Sequence, residues 1–300
     1  MNLLSAADLS EAQIRGFFAR ASALREQWKS TGRVDQTLSG KTIVNLFFEN
    51  STRTRSSFEI AIRRLGGGAL NIAAATSSVQ KGETLIDTAQ NLQALGPHAI
   101  VIRHASAGSP AVLARALKIP IINAGDGFHE HPTQALLDAF TLRERIGELA
   151  GKRVLIVGDV AHSRVARSNI HLLKTLGATV EIAGPPTLLP PSPEALGVRA
   201  HYRLDQCLPE ADAVMLLRVQ LERQNRMQIP SLREYARIWG LTAERARKLL
   251  KPHAVLLHPG PVNRGVEMDP DVADSDRSLI LDQVENGVWI RMAVLEGVTA

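Results

Sequence analysis

FFENSTRTRSSFEIAIRRL, residues 47–65, is the stretch around which the fold of this 300-residue chain is organised. It continues an apolar run, residues 42–48, that predicts a buried strand. Ser51 and Thr52 are residues that commonly begin a helix. The glycines at 66–68 predict its end. Between them, apolar residues recur with helical spacing at Phe58, Ala61, Ile62 and Leu65.

Residues 51–55 therefore fall where a strand turns into a helix. At such a turn the unpaired backbone N–H groups and the positive end of the helix dipole face the same space. The segment adds the guanidinium groups of Arg53 and Arg55 and the hydroxyls of Ser51, Thr52 and Thr54. This combination favours an anion site, most naturally for phosphate. The alternative is an ordinary capped helix with solvated arginines.

Outward from this stretch, strands and helices alternate along the chain, which predicts parallel sheets covered by helices. The predicted strands are residues 42–48, 69–74, 99–103, 120–123, 152–158, 179–183, 212–217 and 254–257. The predicted helices begin after Ser10 and at residues 52, 84, 110, 132, 163 and 286. Residues 125–127 are predicted to turn, and residues 219–240 to form a long, mobile loop near a site. A domain boundary is expected near residues 146–151.

Composition places the chain among ordinary globular proteins, with 45% hydrophobic and 22% charged residues. It has no apolar run long enough for a membrane span and no signal-peptide pattern at its start. The single Cys207 fits a reducing cytoplasm, where we expect the protein to be. A net charge of +5 could indicate nucleic acid, but no recognised motif accompanies it, and anionic substrates explain it equally well.

Two short signals carry less weight. The turn at Gly158 and Asp159 follows a strand, but it lacks the G-x-G-x-x-G pattern of a dinucleotide site. His129 and His131 lie two residues apart and could suggest a metal, but further ligands are not evident in the sequence. We therefore predict no cofactor and no metal.

Five motifs in a fixed order resemble a known family: STRTR at 51–55, RH at 103–104, HPTQ at 131–134, RVQLER at 218–223 and HPGP at 258–261. Together they closely resemble the catalytic chains of the aspartate carbamoyltransferase family, over nearly the whole length. The resemblance implies two α/β domains. Residues 1–147, joined by a returning helix at 286–300, would bind carbamoyl phosphate, and residues 148–285 would bind aspartate. The products would be N-carbamoyl-L-aspartate and phosphate, in pyrimidine synthesis.

In this reaction an amine attacks a carbamoyl carbon and phosphate departs, so the site needs hydrogen-bond donors and cations rather than a covalent nucleophile. The resemblance implies a set of residues that bind carbamoyl phosphate: Ser51, Thr52, Arg53, Thr54, Ser77, Arg103, His131, Gln134, Gly260 and Pro261. It also implies a catalytic set: Arg53, Thr54, Lys81, Arg103, His131 and Gln134. Thr54, Arg103 and His131 would donate to the carbonyl oxygen. A lone HPTQ could equally be a structural helix start.

The second substrate carries two carboxylates, which guanidinium groups bind in a bidentate way. The resemblance assigns the α-carboxylate to Arg164 and the side-chain carboxylate to Arg218 and Gln220, with Lys81 also reaching aspartate. From the residues alone, the segment 218–223 could instead be a charged, exposed loop.

The resemblance also implies a homotrimer, in which the loop carrying Ser77 and Lys81 reaches the site of a neighbouring subunit. Gln80 stands where some relatives have a second lysine. Ornithine carbamoyltransferase is the nearest alternative, but its typical HCLP is HPGP here. A non-catalytic assembly subunit would have lost Arg53, His131 or Lys81, and all remain. A nucleic-acid-binding module is the weakest alternative. Regulatory or dihydroorotase-like partner chains stay open.

Overall fold

The structure is a computed structural model that describes residues 1–73, 83–219 and 229–300. The chain divides into two compact units. The first comprises Met1–Leu137 and Val284–Ala300, and the second comprises Asp138–Gln283. The predicted domain limits, 147/148 and 285/286, stay a prediction.

The first unit is built on a four-stranded parallel sheet in the order β2-β1-β3-β4. Its strands are β1 (Thr42–Phe47), β2 (Gly68–Ala73), β3 (Ala99–His104) and β4 (Ile121–Asp126). Four helices lie within it: α1 (Glu11–Thr31), α2 (Thr52–Arg64), α3 (Leu85–Ala94) and α4 (Ser109–Ala116). Strands β1, β3 and β4 are almost entirely buried, as is usual for the mainly apolar strands of a parallel sheet covered by helices.

Helix α5 (Pro132–Ile146) leads from the first unit into the second along the chain, and the last helix, α11 (Ile280–Thr299), leads back. Within the first unit, α11 packs against α1 and α2. Arg20 Nη2 donates to Glu296 Oε1 at 2.9 Å. The Arg64 guanidinium lies 4.3 Å from the Trp28 ring centre and 4.6 Å from that of Trp289. The expectation that the C-terminal helix packs on the first domain is confirmed.

The second unit contains a five-stranded parallel sheet in the order β7-β6-β5-β8-β9. Its strands are β5 (Arg153–Val157), β6 (Thr179–Ala183), β7 (Arg199–His201), β8 (Ala213–Leu216) and β9 (Val255–Leu257). Its helices are α6 (Arg164–Thr175), α7 (Leu204–Cys207), α8 (Leu232–Trp239), α9 (Ala243–Leu249) and α10 (Pro270–Ala273). The predicted fold class, two parallel-sheet domains flanked by helices, is confirmed.

Three local predictions are wrong. Strand β4 continues through Gly125 and Asp126, because Asp126 pairs with His104, and the turn begins only at Gly127. Helix α8 occupies part of the segment predicted as a loop, since Ser231 caps it and Tyr235 and Trp239 are buried in the core. Residues 220–228 of that segment lie outside the described residues. The last helix begins at Ile280 rather than 286.

Candidate active site

The carboxyl edge of the first sheet brings together three of the predicted segments. Parallel strands end at one edge, and there Phe47 of β1 is in register with Arg103 of β3. The backbone N–H of Phe48 donates to the carbonyl oxygen of Arg103 at 2.8 Å. The chain after β1 becomes α2, and the chain after β4 becomes α5. Ligands of open α/β sheets bind at this edge.

The first turn of α2 is an N-terminus whose cap is not closed. Ser51 occupies the N-cap position, but its side chain makes no capping hydrogen bond. Thr52 and Arg53 are exposed, whereas Thr54 is buried at 7% exposure beneath them. The turn therefore presents hydroxyls, backbone N–H groups and a cation to a ligand. This arrangement fits an anion such as phosphate.

Arg103 is held from both sides at the end of β3. Its Nε lies 3.2 Å from Glu49 Oε2, and its Nη1 donates to the carbonyl oxygen of Ala124 at 3.3 Å. The side chain is 12% exposed. Because both contacts fix it, the guanidinium is preorganised at the carboxyl edge of the sheet. Next to it, burial lowers the pKa of His104, so its imidazole is uncharged at neutral pH.

His131 and Gln134 lie at the start of α5. His131 is 3% exposed and Gln134 is 9% exposed. The backbone N–H of Gln134 donates to the carbonyl oxygen of His131 at 2.9 Å, so the two belong to one helical turn. The structure thus places them at the start of the helix that follows β4, as the sequence predicts.

Two buried carboxylates, which the sequence analysis missed, fix the segment before His131. The Asp126 carboxylate accepts from the backbone N–H of Glu130 at 3.1 Å and from Asn123 Nδ2 at 2.8 Å. The Glu130 carboxylate accepts from Ser5 Oγ at 3.1 Å and from the backbone N–H of Ala6 at 3.2 Å. The His129 ring, considered above as a metal ligand, lies 3.1 Å from Asp126. These contacts orient the loop that delivers His131.

In the second unit, the turn between β5 and α6 carries Arg164. Gly158 has φ +125°, and a Cβ there would lie 3.0 Å from the Tyr235 hydroxyl, so only glycine fits. Asp159 Oδ1 lies 2.7 Å from His162 Nδ1. Ser163 Oγ accepts from the backbone N–H of Ala166 at 3.1 Å, which caps α6. Arg164, the first residue of α6, is 3% exposed.

Arg218 and the Gly260–Pro261 pair follow β8 and β9, which are neighbours in the second sheet. Arg218 is half-buried. Arg164, Arg218 and Gly260 therefore share the carboxyl edge of this sheet. The Gly260–Pro261 peptide bond is cis, and the Gly260 N–H donates to His258 Nδ1 at 2.8 Å.

Glu267, which the sequence analysis also missed, links the segments that follow β8 and β9. Its carboxylate accepts from the backbone N–H of Val219 at 3.0 Å and from that of Asn263 at 2.7 Å. It is 1% exposed. The sequence around Glu267 does not predict this role, because Val219, at the end of β8, lies 48 positions away.

Ser77 and Lys81 fall within residues 74–82, and Gln220 falls within residues 220–228, so these three lie outside the described residues. Their predicted roles stay predictions. In the described ranges, three or more His, Cys, Asp or Glu side chains are nowhere arranged to hold a metal ion. Among the helices of the same ranges, none is long and apolar enough to cross a membrane.

Comparison with known proteins defines the class to which this fold and site belong. The family model described as "Aspartate/ornithine carbamoyltransferase, carbamoyl-P binding domain" matches residues 1–144. The model described as "Aspartate/ornithine carbamoyltransferase, Asp/Orn binding domain" matches residues 150–298. The chain belongs to the aspartate/ornithine carbamoyltransferase family.

Individual relatives show which members of the family this chain is similar to. The aspartate carbamoyltransferase catalytic subunit of Myxococcus xanthus is 61% identical over 263 residues, covering 88% of each chain. That of an Anaeromyxobacter species is 51% identical over 97% of this chain and 92% of its own. A Trypanosoma cruzi aspartate transcarbamoylase in complex with carbamoyl phosphate and aspartate superposes with a TM-score of 0.90. It is 31% identical and is covered at 97%, with all of this chain covered.

The fold alone does not separate the two branches of the family. Ornithine carbamoyltransferase from Pyrococcus furiosus also superposes, with a TM-score of 0.86, 30% identity and coverage of 98% of this chain and 95% of its own. The relatives with 50% identity or more that are named above are aspartate carbamoyltransferases.

Proposed function

We propose that this chain is a catalytic subunit that transfers the carbamoyl group of carbamoyl phosphate to the amine of L-aspartate, giving N-carbamoyl-L-aspartate and phosphate. The observation that carries the proposal is the uncapped first turn of α2, where Ser51 leaves its capping bond unmade beside exposed Arg53. The names of relatives that are 51% and 61% identical support aspartate as the acceptor.

Most of the residues that we assign to carbamoyl phosphate belong to the first unit. Ser51, Thr52, Arg53 and Thr54 bind the phosphate oxygens with hydroxyls, backbone N–H groups and one guanidinium. Arg103 and His131, with Thr54, donate to the carbonyl oxygen, on which negative charge grows in the transition state. Gln134 contacts the carbamoyl NH2. The fixed position of Arg103, between Glu49 and Ala124, supports this assignment.

The residues that we assign to the two aspartate carboxylates belong to the second unit. Arg164 binds the α-carboxylate and Arg218, with Gln220, binds the side-chain carboxylate. The backbone carbonyls of Gly260 and Pro261 accept from the carbamoyl NH2. The common position of Arg164, Arg218 and Gly260 at the carboxyl edge of the second sheet supports these roles.

In the reaction the aspartate nitrogen forms a bond to the carbamoyl carbon, and the bond from that carbon to the phosphate oxygen breaks. The electron pair of the broken bond leaves with phosphate, and the attacking amine loses a proton, which the departing phosphate accepts. The residues proposed here stabilise the charge on both oxygens and form no covalent bond. Preorganised donors of this kind act without having to reorganise as the charge develops.

The proposal is tested by phosphate release from purified protein and carbamoyl phosphate. We expect release that depends on L-aspartate and is far slower with L-ornithine. Equal or faster release with L-ornithine would assign the protein to the other branch of the family. If no phosphate is released when either amino acid is added, the result would favour a non-catalytic assembly subunit.

We further propose a homotrimer in the cytoplasm, with shared active sites, that serves pyrimidine synthesis. Ser77 and Lys81 would enter a neighbouring subunit's site, with Lys81 reaching aspartate. Regulatory or dihydroorotase-like chains could join the trimer. The resemblance at Ser77 and Lys81 supports this, and three-fold rings close through contacts of this head-to-tail kind.

Mixed assembly tests the shared site. Lys81→Ala and Arg53→Ala proteins should each be nearly inactive. When both are dissociated and reassembled together, some activity should return where an intact Lys81 meets an intact Arg53. Each parent treated in the same way is the control. Mixed trimers confirmed by mass that remain inactive would show that Lys81 acts within its own chain or takes no part.

A further inference from the structure

A buried guanidinium contacts α2 one helical turn after the residues that we assign to phosphate. It has no part in the reaction proposed above. Arg291, on α11, is 3% exposed. Its Nη1 donates to Ser57 Oγ at 2.9 Å and to the carbonyl oxygen of Gly287 at 3.1 Å. Its Cζ lies 5.2 Å from the centre of the Phe58 ring, within the range of a cation–π interaction. Arg291 thus contacts two consecutive residues of α2.

Gly287 makes room for this guanidinium. A Cβ at position 287 would lie 2.5 Å from Arg291 Nη1, 3.3 Å from a methyl carbon of Leu137 and 3.6 Å from Ser57 Oγ. Glycine within a helix is unfavourable relative to alanine. Its presence here is explained by the space that the guanidinium occupies.

The contacted residues lie one turn below the residues of the candidate site. Phe58 is four positions after Thr54, and both are buried on the same face of α2. Leu137 is three positions after Gln134 on α5. The space around Gly287 is therefore bordered by the two helices whose first turns carry the carbamoyl phosphate residues. All of these residues belong to the first unit.

We propose that Arg291 is a positioning residue for phosphate binding: through Ser57 and Phe58 it fixes the first turn of α2. The inference rests on the proposed function only in taking phosphate as the ligand of that turn. A rigid α2 is needed because several donors must meet one phosphate group together, and small displacements of such donors weaken binding steeply. A guanidinium suits this role, since its planar fork can donate in two directions while its face meets an aromatic ring.

The test measures binding of inorganic phosphate by calorimetry, which does not depend on turnover. We expect Arg291→Met to weaken phosphate binding roughly tenfold or more, by analogy with the cost of misplaced binding groups. Arg64→Met is the matched control. It removes a guanidinium that joins the same two helices, α2 and α11, but at the last residue of α2. It should lower thermal stability and leave phosphate affinity unchanged.

Gly287→Ala provides a second variant that keeps the arginine. Alanine is the better helix former, but its Cβ would displace the guanidinium. We expect weaker phosphate binding without loss of helical content. Ser57→Ala, which removes only the hydroxyl acceptor, should weaken phosphate binding less, and it decides the question should Arg291→Met fail to fold.

The outcomes separate this inference from the proposed function. If Arg53→Ala loses phosphate binding while Arg291→Met and Gly287→Ala bind as the wild type does, only the role of Arg291 is overturned. The same holds if Arg64→Met loses as much affinity as Arg291→Met, because the effect would then be general packing. If the wild type binds no phosphate, both ideas fall.

Discussion

The helices α2 and α6 both follow a strand, but their N-termini are capped differently. In α6, Ser163 caps the helix through its bond with the backbone N–H of Ala166. Ser10, Thr84, Ser231 and Thr242 cap their helices in the same manner. In α2, Ser51 holds the corresponding position without such a bond. The first turn of α2 therefore lacks the side-chain capping bond that stabilises these five helices.

The arginines at the starts of these two helices also differ in their exposure to solvent. Arg53 is exposed at its uncapped turn, whereas Arg164 is 3% exposed at its capped one. A phosphate group has several oxygens and is bound by many donors, so an open helix start suits it. A carboxylate is planar and needs one well-placed guanidinium. The difference between the turns thus matches the two kinds of anion that we assign to them.

The largest expected effect is that of Arg53→Ala. Loss of one preorganised donor or cation at a site of developing charge typically lowers kcat by about 10²–10³. Arg63→Ala is the control, because Arg63 lies on the same helix, 71% exposed, in a surface pair with Glu59. Steady-state kinetics of both variants, with circular dichroism for folding, make the comparison. Near-normal turnover in Arg53→Ala would reduce the open turn to an ordinary helix start.

A smaller effect is expected from Arg218→Met. Loss of a hydrogen-bonded charge pair with a carboxylate costs about 1.5–3 kcal/mol, or roughly a tenfold to hundredfold rise in KM for aspartate. Inorganic phosphate should bind as it does to the wild type, since that ligand is assigned to the first unit. Arg203→Met, at an exposed arginine of the same unit, is the control. A parallel loss of phosphate affinity would contradict the division of the substrates between the units.

Much of the fold follows from local signals in the sequence. The start of helix α5 could be predicted, because Pro132 suits a first helical position. Its observed end is followed by Gly147, whose φ of 77° is one that glycine adopts easily. Helix α8 was missed because it is only 8 residues long and lies in a segment with many charged residues. Its reason to fold is the burial of Tyr235 and Trp239 against a core formed by distant segments. Burial also raises the pKa of the Tyr235 hydroxyl.

The residues of the candidate site also fall into two groups, those that local sequence signals predict and those that depend on distant partners. Residues at strand ends could be predicted, since the turn after a parallel strand is a local feature. Glu130, Glu267 and Arg291 could not, because their partners are far along the chain. Glu130 bonds Ser5 across 125 positions, Glu267 bonds Val219 across 48, and Arg291 bonds Ser57 across 234. Supporting contacts of this kind become visible only when the chain is folded.

The smallest expected effects come from a pair of cap substitutions, and they test the comparison most directly. Ser163→Ala removes a cap and should cost about 1 kcal/mol of unfolding free energy. Ser51→Ala removes no capping bond, so its unfolding free energy should change by much less. For phosphate affinity the order should reverse: Ser51→Ala should weaken binding several-fold, and Ser163→Ala should leave it unchanged.

Urea denaturation and phosphate calorimetry on the same preparations measure both quantities. Ser163→Asp is the control, because aspartate also accepts a bond from a helix N–H and should retain stability. Since two units need not unfold together, the transition should be followed with more than one probe. Equal losses of stability in Ser51→Ala and Ser163→Ala would show that Ser51 is a working cap. Ser51 would then not be open to a ligand, and phosphate binding would have to depend on the other residues that we assign to it.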